Sequence, residues 1–124
     1  MKELKKLPES ELEIMQAVWK NTPPITTHMV MESLNPLKEY KQQTVLTLLN
    51  RLHDRGFIRC EKEGRSRLYH PLVSREEYLQ FETGRFMEQM HQNSLSSLVA
   101  ALYRGKNISQ EDINDLQRWL EQKE

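Results

Sequence analysis

A chain of 124 residues with 18 basic and 18 acidic side chains is neutral overall and 37% hydrophobic, which allows one modest core and a small appendage. No apolar run approaches the ~20 residues that span a bilayer, and Met1 to Ser10 lacks the apolar centre of a signal peptide, so a cytoplasmic protein without membrane insertion is expected. The single cysteine, Cys60, excludes an intrachain disulfide and a multi-cysteine metal site. The four histidines have no ligand-like spacing, and no phosphate loop, nucleophile elbow or paired-carboxylate pattern occurs; no metal, cofactor or enzymatic activity is expected.

The first helix signal is Ser10 with Glu13, a capping-box pattern followed by Leu12, Met15, Val18 and Trp19 on one face up to Asn21. Thr22, Pro23 and Pro24 interrupt the chain, and Thr26 is a suitable N-cap for a short second helix with Val30 and Leu34 inward, ending before Pro36. In the third helix, from Gln42, the residues Val45, Leu48, Leu49 and Leu52 recur at the spacing that buries one face, and Gly56 stops it. Two short strands follow, 57–62 and 67–71, separated by Glu63, Gly64, Arg65 and Ser66. Three helices and a basic hairpin predict a winged helix-turn-helix over residues 1–72 within a mainly α protein.

Taken singly, each of these features fits a buried helix beside a surface hairpin. Their conjunction is the order in which a winged helix presents a major-groove reader and a flanking phosphate clamp. The polar face of the third helix carries Gln42, Gln43, Thr47, Asn50, Arg51 and Asp54; amides and hydroxyls can bond base edges, and arginines suit phosphates. Charge is also uneven. Residues 37–70 hold eight basic side chains against four acidic ones, a net of +4, whereas residues 1–36 hold four against five and residues 74–124 six against nine. A basic segment inside a neutral chain is a localised footprint for a polyanion. Gln42, Gln43, Thr44 and Thr47 are the candidate groove contacts, and Arg51, Arg65, Arg67 and Lys41 the candidate phosphate contacts.

Beyond Pro71 the chain is too thin to bury itself. Ser74 with Glu77 opens a helix to about Gln92, stapled by Val73 and Tyr78, with Leu79, Phe86 and Met90 on one stripe widened by Tyr78, Phe81 and Met87. Ser94 caps a helix carrying Leu95, Leu98, Val99 and Leu102 and ending at Gly105, and Ser109 with Asp112 opens a last helix with Ile113, Leu116 and Leu120 aligned. Residues 73–124 are therefore expected to form a helical dimerisation domain built on these ten stripe residues, because more apolar surface is presented than one copy can cover.

The stretches ELEIMQAVWK (Glu11 to Lys20), TVLTLLNRLHDRGFIRCEKEGRSRLYHPLVSREEY (Thr44 to Tyr78) and SLSSLVAAL (Ser94 to Leu102) together resemble the BlaI/MecI family of bacterial penicillinase repressors, which includes the copper-responsive CopY branch. The resemblance spans nearly the whole chain. It implies a homodimeric repressor bound to double-stranded operator DNA with inverted-repeat half-sites, relieved when a membrane sensor of β-lactam triggers proteolysis in the dimerisation region, and hence a link to antibiotic resistance. Two departures are visible. The paired CxC motifs of the copper branch are absent, and the family's typical Asn-Phe cleavage bond is matched by Ala101-Leu102. Two other classes fit the same residues: a winged-helix protein-interaction module that binds no DNA, and a sensor with a small-ligand pocket among the C-terminal helices.

Overall fold

The computed structural model describes residues 3–123. Its elements, in chain order, are α1 (Glu9–Trp19), β1 (Ile25–Thr26), α2 (Thr27–Glu32), a 3-10 turn (Pro36–Lys38), α3 (Gln42–Asp54), β2 (Ile58–Glu63), β3 (Ser66–Pro71), α4 (Arg75–His91), α5 (Leu95–Arg104) and α6 (Gln110–Gln122). The strands form one antiparallel sheet in the order β1-β3-β2. The expected wing hairpin pairs Ile58 with Pro71 through Glu63 with Ser66, leaving Gly64 and Arg65 as a two-residue turn. Gly64 takes a φ of +63° there, a conformation glycine adopts at little cost. The short β1, which pairs Ile25 with Tyr69 and Thr26 with Leu68, was not anticipated, because two residues carry no periodicity of their own.

The core of the first unit contains Met15, Val18, Val30, Val45, Leu48, Leu49 and Leu52 as the spacing selects, adds Ile14, Ile25, Ile58 and Tyr69, and leaves the expected Leu12, Trp19 and Leu34 only partly buried. Ile14, Met15, Val18, Ile25, Val30, Val45, Leu49, Leu52, Ile58 and Tyr69 are all essentially inaccessible, drawn from three helices and the sheet. The α3 stop follows the Schellman pattern, with Gly56 N–H donating to His53 O at 3.0 Å and Phe57 N–H to Leu52 O at 2.9 Å; Gly56 accordingly has a φ of +82°. The Thr26 cap on α2 forms as expected, its hydroxyl accepting from Met29 N–H at 3.1 Å. The Ser10 capping box does not form. Helix α1 begins two residues earlier than that cap requires, at Glu9 rather than Glu11, with Pro8 at the N-cap and no side-chain cap bond, so Ser10 lies already inside the helix and its hydroxyl is misplaced for that role.

Glu11 is buried on α1 and receives Arg55, at the end of α3, through Nε at 2.5 Å and Nη2 at 3.4 Å. This pair ties the first helix to the third. The Ser74 and Glu77 capping box opens α4 with both reciprocal bonds at 3.0 Å. Val73 and Tyr78 pack into the first unit's core, and the Tyr78 hydroxyl accepts from Leu7 N–H at 2.8 Å. Tyr78 also meets Trp19, Phe57 and Phe81 at centroid distances of 5.7 to 6.0 Å. Compact unit one therefore runs to Phe81 and unit two starts at Glu82: the sequence boundary at 72/73 sits nine residues before the packing boundary, because Tyr78 and Phe81, assigned from spacing to the α4 stripe, are claimed by the first core.

In the second unit, Ser94 accepts from Ser97 N–H at 3.1 Å to cap α5, and Ser109 and Asp112 form the anticipated box on α6. Lys106 rather than Gly105 takes the left-handed conformation after α5, with a φ of +61°. No residue of α5 or α6 is fully buried.

Candidate nucleic-acid interface

The third helix and the wing make one continuous face. Burial of Val45, Leu48, Leu49 and Leu52 fixes the rotation of α3, so Gln42, Gln43, Thr44, Thr47, Asn50 and Arg51 are all exposed. Lys41 is the N-cap, exposed and making no side-chain cap bond, so the first-turn N–H groups of α3 stay open toward the same face. Thr47 donates its hydroxyl to Gln43 O at 3.0 Å, which leaves its oxygen as an acceptor.

Within this face two stripes separate. Gln42 and Leu46 line an open cleft with Arg65, Ser66 and Arg67 of the wing and Thr26, Thr27 and His28 from the start of α2. Asn50, one turn beyond Leu46, accepts from Arg67 Nη1 at 3.5 Å. The other stripe, Gln43, Thr44, Thr47 and Arg51, is exposed to solvent. Arg65 occupies the wing tip; Arg67 sits within β3, half-buried.

Ion pairing sorts the basic segment further. Lys38 is bonded to Glu13, Arg55 to Glu11, and Arg59 to Glu61 at 3.1 Å. The Glu61 carboxyl, held below the ordinary carboxylate range by Arg59 first and His70 second, stays ionised and neutralises the outer face of the wing. Lys41, Arg51, Lys62, Arg65 and Arg67 make no ion pair among the described residues. Within the basic segment, the unneutralised cations among the described residues are thus those on or beside α3 and the wing. Four of the five were singled out from sequence; Lys62 was counted in the basic segment but not among the contacts. Its signal was available, since strand alternation from the buried Ile58 through Cys60 puts Lys62 on the α3 side of the hairpin.

The ten stripe residues of the C-terminal helices lie as follows. Leu79, Phe86, Met90, Leu95 and Leu120 are 45 to 63% exposed, and Leu98, Val99, Leu102, Ile113 and Leu116 are half-buried. Ala101 is exposed beside Leu102 in the last turns of α5. Among the described residues no cluster of three His, Cys, Asp or Glu side chains is placed to hold a metal ion, and no helix is long and apolar enough to cross a membrane.

Comparison with known proteins agrees with this geometry. The penicillinase repressor of Bacillus licheniformis is 30% identical over 122 residues, covering 98% of this chain and 94% of its own. The methicillin resistance regulatory protein MecI of Staphylococcus aureus is 26% identical, covering 92% of each. Among solved structures, the DNA-binding domain of the repressor BlaI superposes with a TM-score of 0.52 at 32% identity, over 63% of this chain and 94% of that one. The monomeric form of Bacillus licheniformis BlaI in complex with the blaP half-operator gives 0.50 at the same identity and coverage. The profile of the penicillinase repressor family matches residues 7–122, and the chain belongs to that family, the BlaI/MecI repressors.

Proposed function

We infer that the chain is a homodimeric transcriptional repressor that reads inverted-repeat operators through α3 and clamps the flanking phosphates with its wing. The observation that carries this reading is the sorting of cations within the basic segment 37–70: Lys38, Arg55 and Arg59 are matched by carboxylates, whereas Lys41, Arg51, Lys62, Arg65 and Arg67, on or beside α3 and the wing, have no ion pair among the described residues and are left for a polyanion. Gln43, Thr44 and Thr47 supply groove-facing acceptors and donors, Gln42 contributes from the wing side, and Arg51, Arg65, Lys41 and Lys62 supply positive charge. Dimerisation is inferred from the second unit, where α5 and α6 fully bury no residue and a second copy would complete the cover of Leu95, Leu98, Val99, Leu102, Ile113, Leu116 and Leu120. The related BlaI occupies a half-operator as a monomer, which supports one half-site per protomer here. The protein acts in the cytoplasm and controls genes of β-lactam resistance.

Relief of repression follows loss of the dimer lobe. Cutting the second unit leaves each winged helix its own contacts but removes the linkage that makes the second half-site effectively intramolecular, a loss of about 100-fold or more in affinity. The bond that matches the family's cleavage position, Ala101-Leu102, lies inside α5, so a protease answering to a membrane sensor needs local opening of that helix. The function is tested by selecting duplexes from a random library with the full-length protein. Recovered inverted repeats bound by two protomers, with affinity falling steeply as salt rises, are expected; no enrichment, or binding indifferent to salt, would favour a protein-interaction module. Mass mapping of the repressor after incubation in induced cell extract tests the switch: an intact chain that has nonetheless released DNA would exclude cleavage.

A further inference from the structure

We propose that Arg67 is a positioning residue, a strut that sets the angle of the wing against the recognition helix through Asn50, and that Lys62 takes the phosphate role on that strand. The proposal deepens the DNA-binding reading and rests on it. Three observations converge. The Arg67 guanidinium donates to the Asn50 side-chain oxygen across 17 residues of sequence. Arg67 also lines the cleft with Gln42 and Leu46, which with Asn50 form one i, i+4, i+8 stripe of α3, so the residue lies along a stripe of about two helical turns. Finally, Lys62 and Arg67 are directly opposed in the β2-β3 register, and like charges so placed repel. Turning the guanidinium onto a neutral amide oxygen separates them, leaving Lys62 exposed and without an ion pair among the described residues.

The consequence is mechanical. Arg65 sits two residues before Arg67, at the turn, and a hairpin free to swing would bring it to a phosphate only part of the time. A strut between β3 and α3 fixes that distance, so the reading edge and the clamp engage one half-site together. The bond is long and exposed, so its loss is expected to cost roughly fivefold in affinity, as one weak hydrogen bond does.

A double-mutant cycle on the full-length protein separates a strut from a direct phosphate contact. The probe is the duplex selected by the wild type, with a random duplex as control, each titrated at several salt concentrations. Expected are about equal losses for Asn50→Ala and Arg67→Gln on the selected duplex, a double variant no weaker than either single, and a salt slope within about half a unit of wild type. Lys62→Gln should lower the slope by about one unit. Hydrogen exchange of the free protein should be faster at the Glu63 and Ser66 amides in both strut variants. Additive losses, or an Arg67→Gln slope reduced by one unit while Asn50→Ala is silent, would overturn the strut and make Arg67 itself a phosphate contact. Failure of the wild type to select or bind DNA would instead end the DNA-binding reading, so the two failures are distinct.

Discussion

Removing Arg55 should cripple the fold through a residue that never approaches the interface. Its partner Glu11 has a side chain only 3% exposed, whereas Arg55 is 39% exposed. Deleting one member of a fully buried pair costs about 3–5 kcal/mol, because the survivor is left charged and unpaired. The opening created by losing a partly exposed guanidinium admits water to the carboxylate, which places Arg55→Ala toward about 2–3 kcal/mol. For a unit of this size that corresponds to a Tm lowered by roughly 10–20 °C. The assay is urea unfolding of the full-length chain in a Trp119→Phe background, which leaves Trp19, bonded to Val73 O at 2.9 Å, as the sole indole and a reporter of the first unit. Adding Glu11→Met should recover most of the loss, since the orphaned charge goes with it. A loss under about 0.5 kcal/mol, or a double variant no better than the single, would refute the argument that Glu11 depends on Arg55.

The Tyr69 hydroxyl is buried without a hydrogen-bond partner among the described residues, so Tyr69→Phe should leave stability unchanged or raise it by up to about 1 kcal/mol; a fall in the urea midpoint would show that the hydroxyl is bonded in solution. Glu13 has its carboxyl lowered from an ordinary value of 4.5 by hydrogen bonds from Lys38 and then Tyr40. The stability it lends is present above that value and lost as pH falls through the depressed one, so Glu13→Gln should lower stability at neutral pH and flatten the acid limb of a stability-pH profile, the variant and wild type converging at low pH; equal stabilities at neutral pH would refute the contribution. Leu98→Asp with Leu102→Asp should dissociate the dimer, at a cost of several kcal/mol for charge placed in an apolar seam, while near-UV signals of the first unit persist; a wild type that sediments as a monomer at micromolar concentration would dispose of the dimer.

The helices were legible because their signals are local. The α3 face, its glycine stop, and the Thr26, Ser74, Ser94 and Ser109 caps each need only a few neighbouring residues, and all of them form. What failed depends on distant partners. β1 exists because β3 offers Tyr69 and Leu68 to Ile25 and Thr26, and Tyr78 joins the first core because Leu7, 71 residues away, meets its hydroxyl. Ser10 lost its capping role by a two-residue shift in helix start, within the ordinary fraying of such ends. At the interface, residue types were readable but pairing was not: the basic count cannot tell Arg55, spent on Glu11, from Arg65, left open at the wing tip. The Asn50 and Arg67 contact requires the hairpin to lie along α3, which no spacing rule supplies.

The central claim, that α3 reads bases while the wing holds phosphates, is tested most directly by comparing Gln43→Ala with Arg65→Ala on the selected and random duplexes across a salt series. Arg65→Ala should weaken both duplexes about equally and reduce the salt slope by roughly one unit. Gln43→Ala should lose about 1–3 kcal/mol of preference at one position of the selected duplex, with random DNA and the slope almost unchanged. Losses for Gln43→Ala that are equal on the two duplexes, together with an Arg65→Ala slope that matches wild type, would contradict the account.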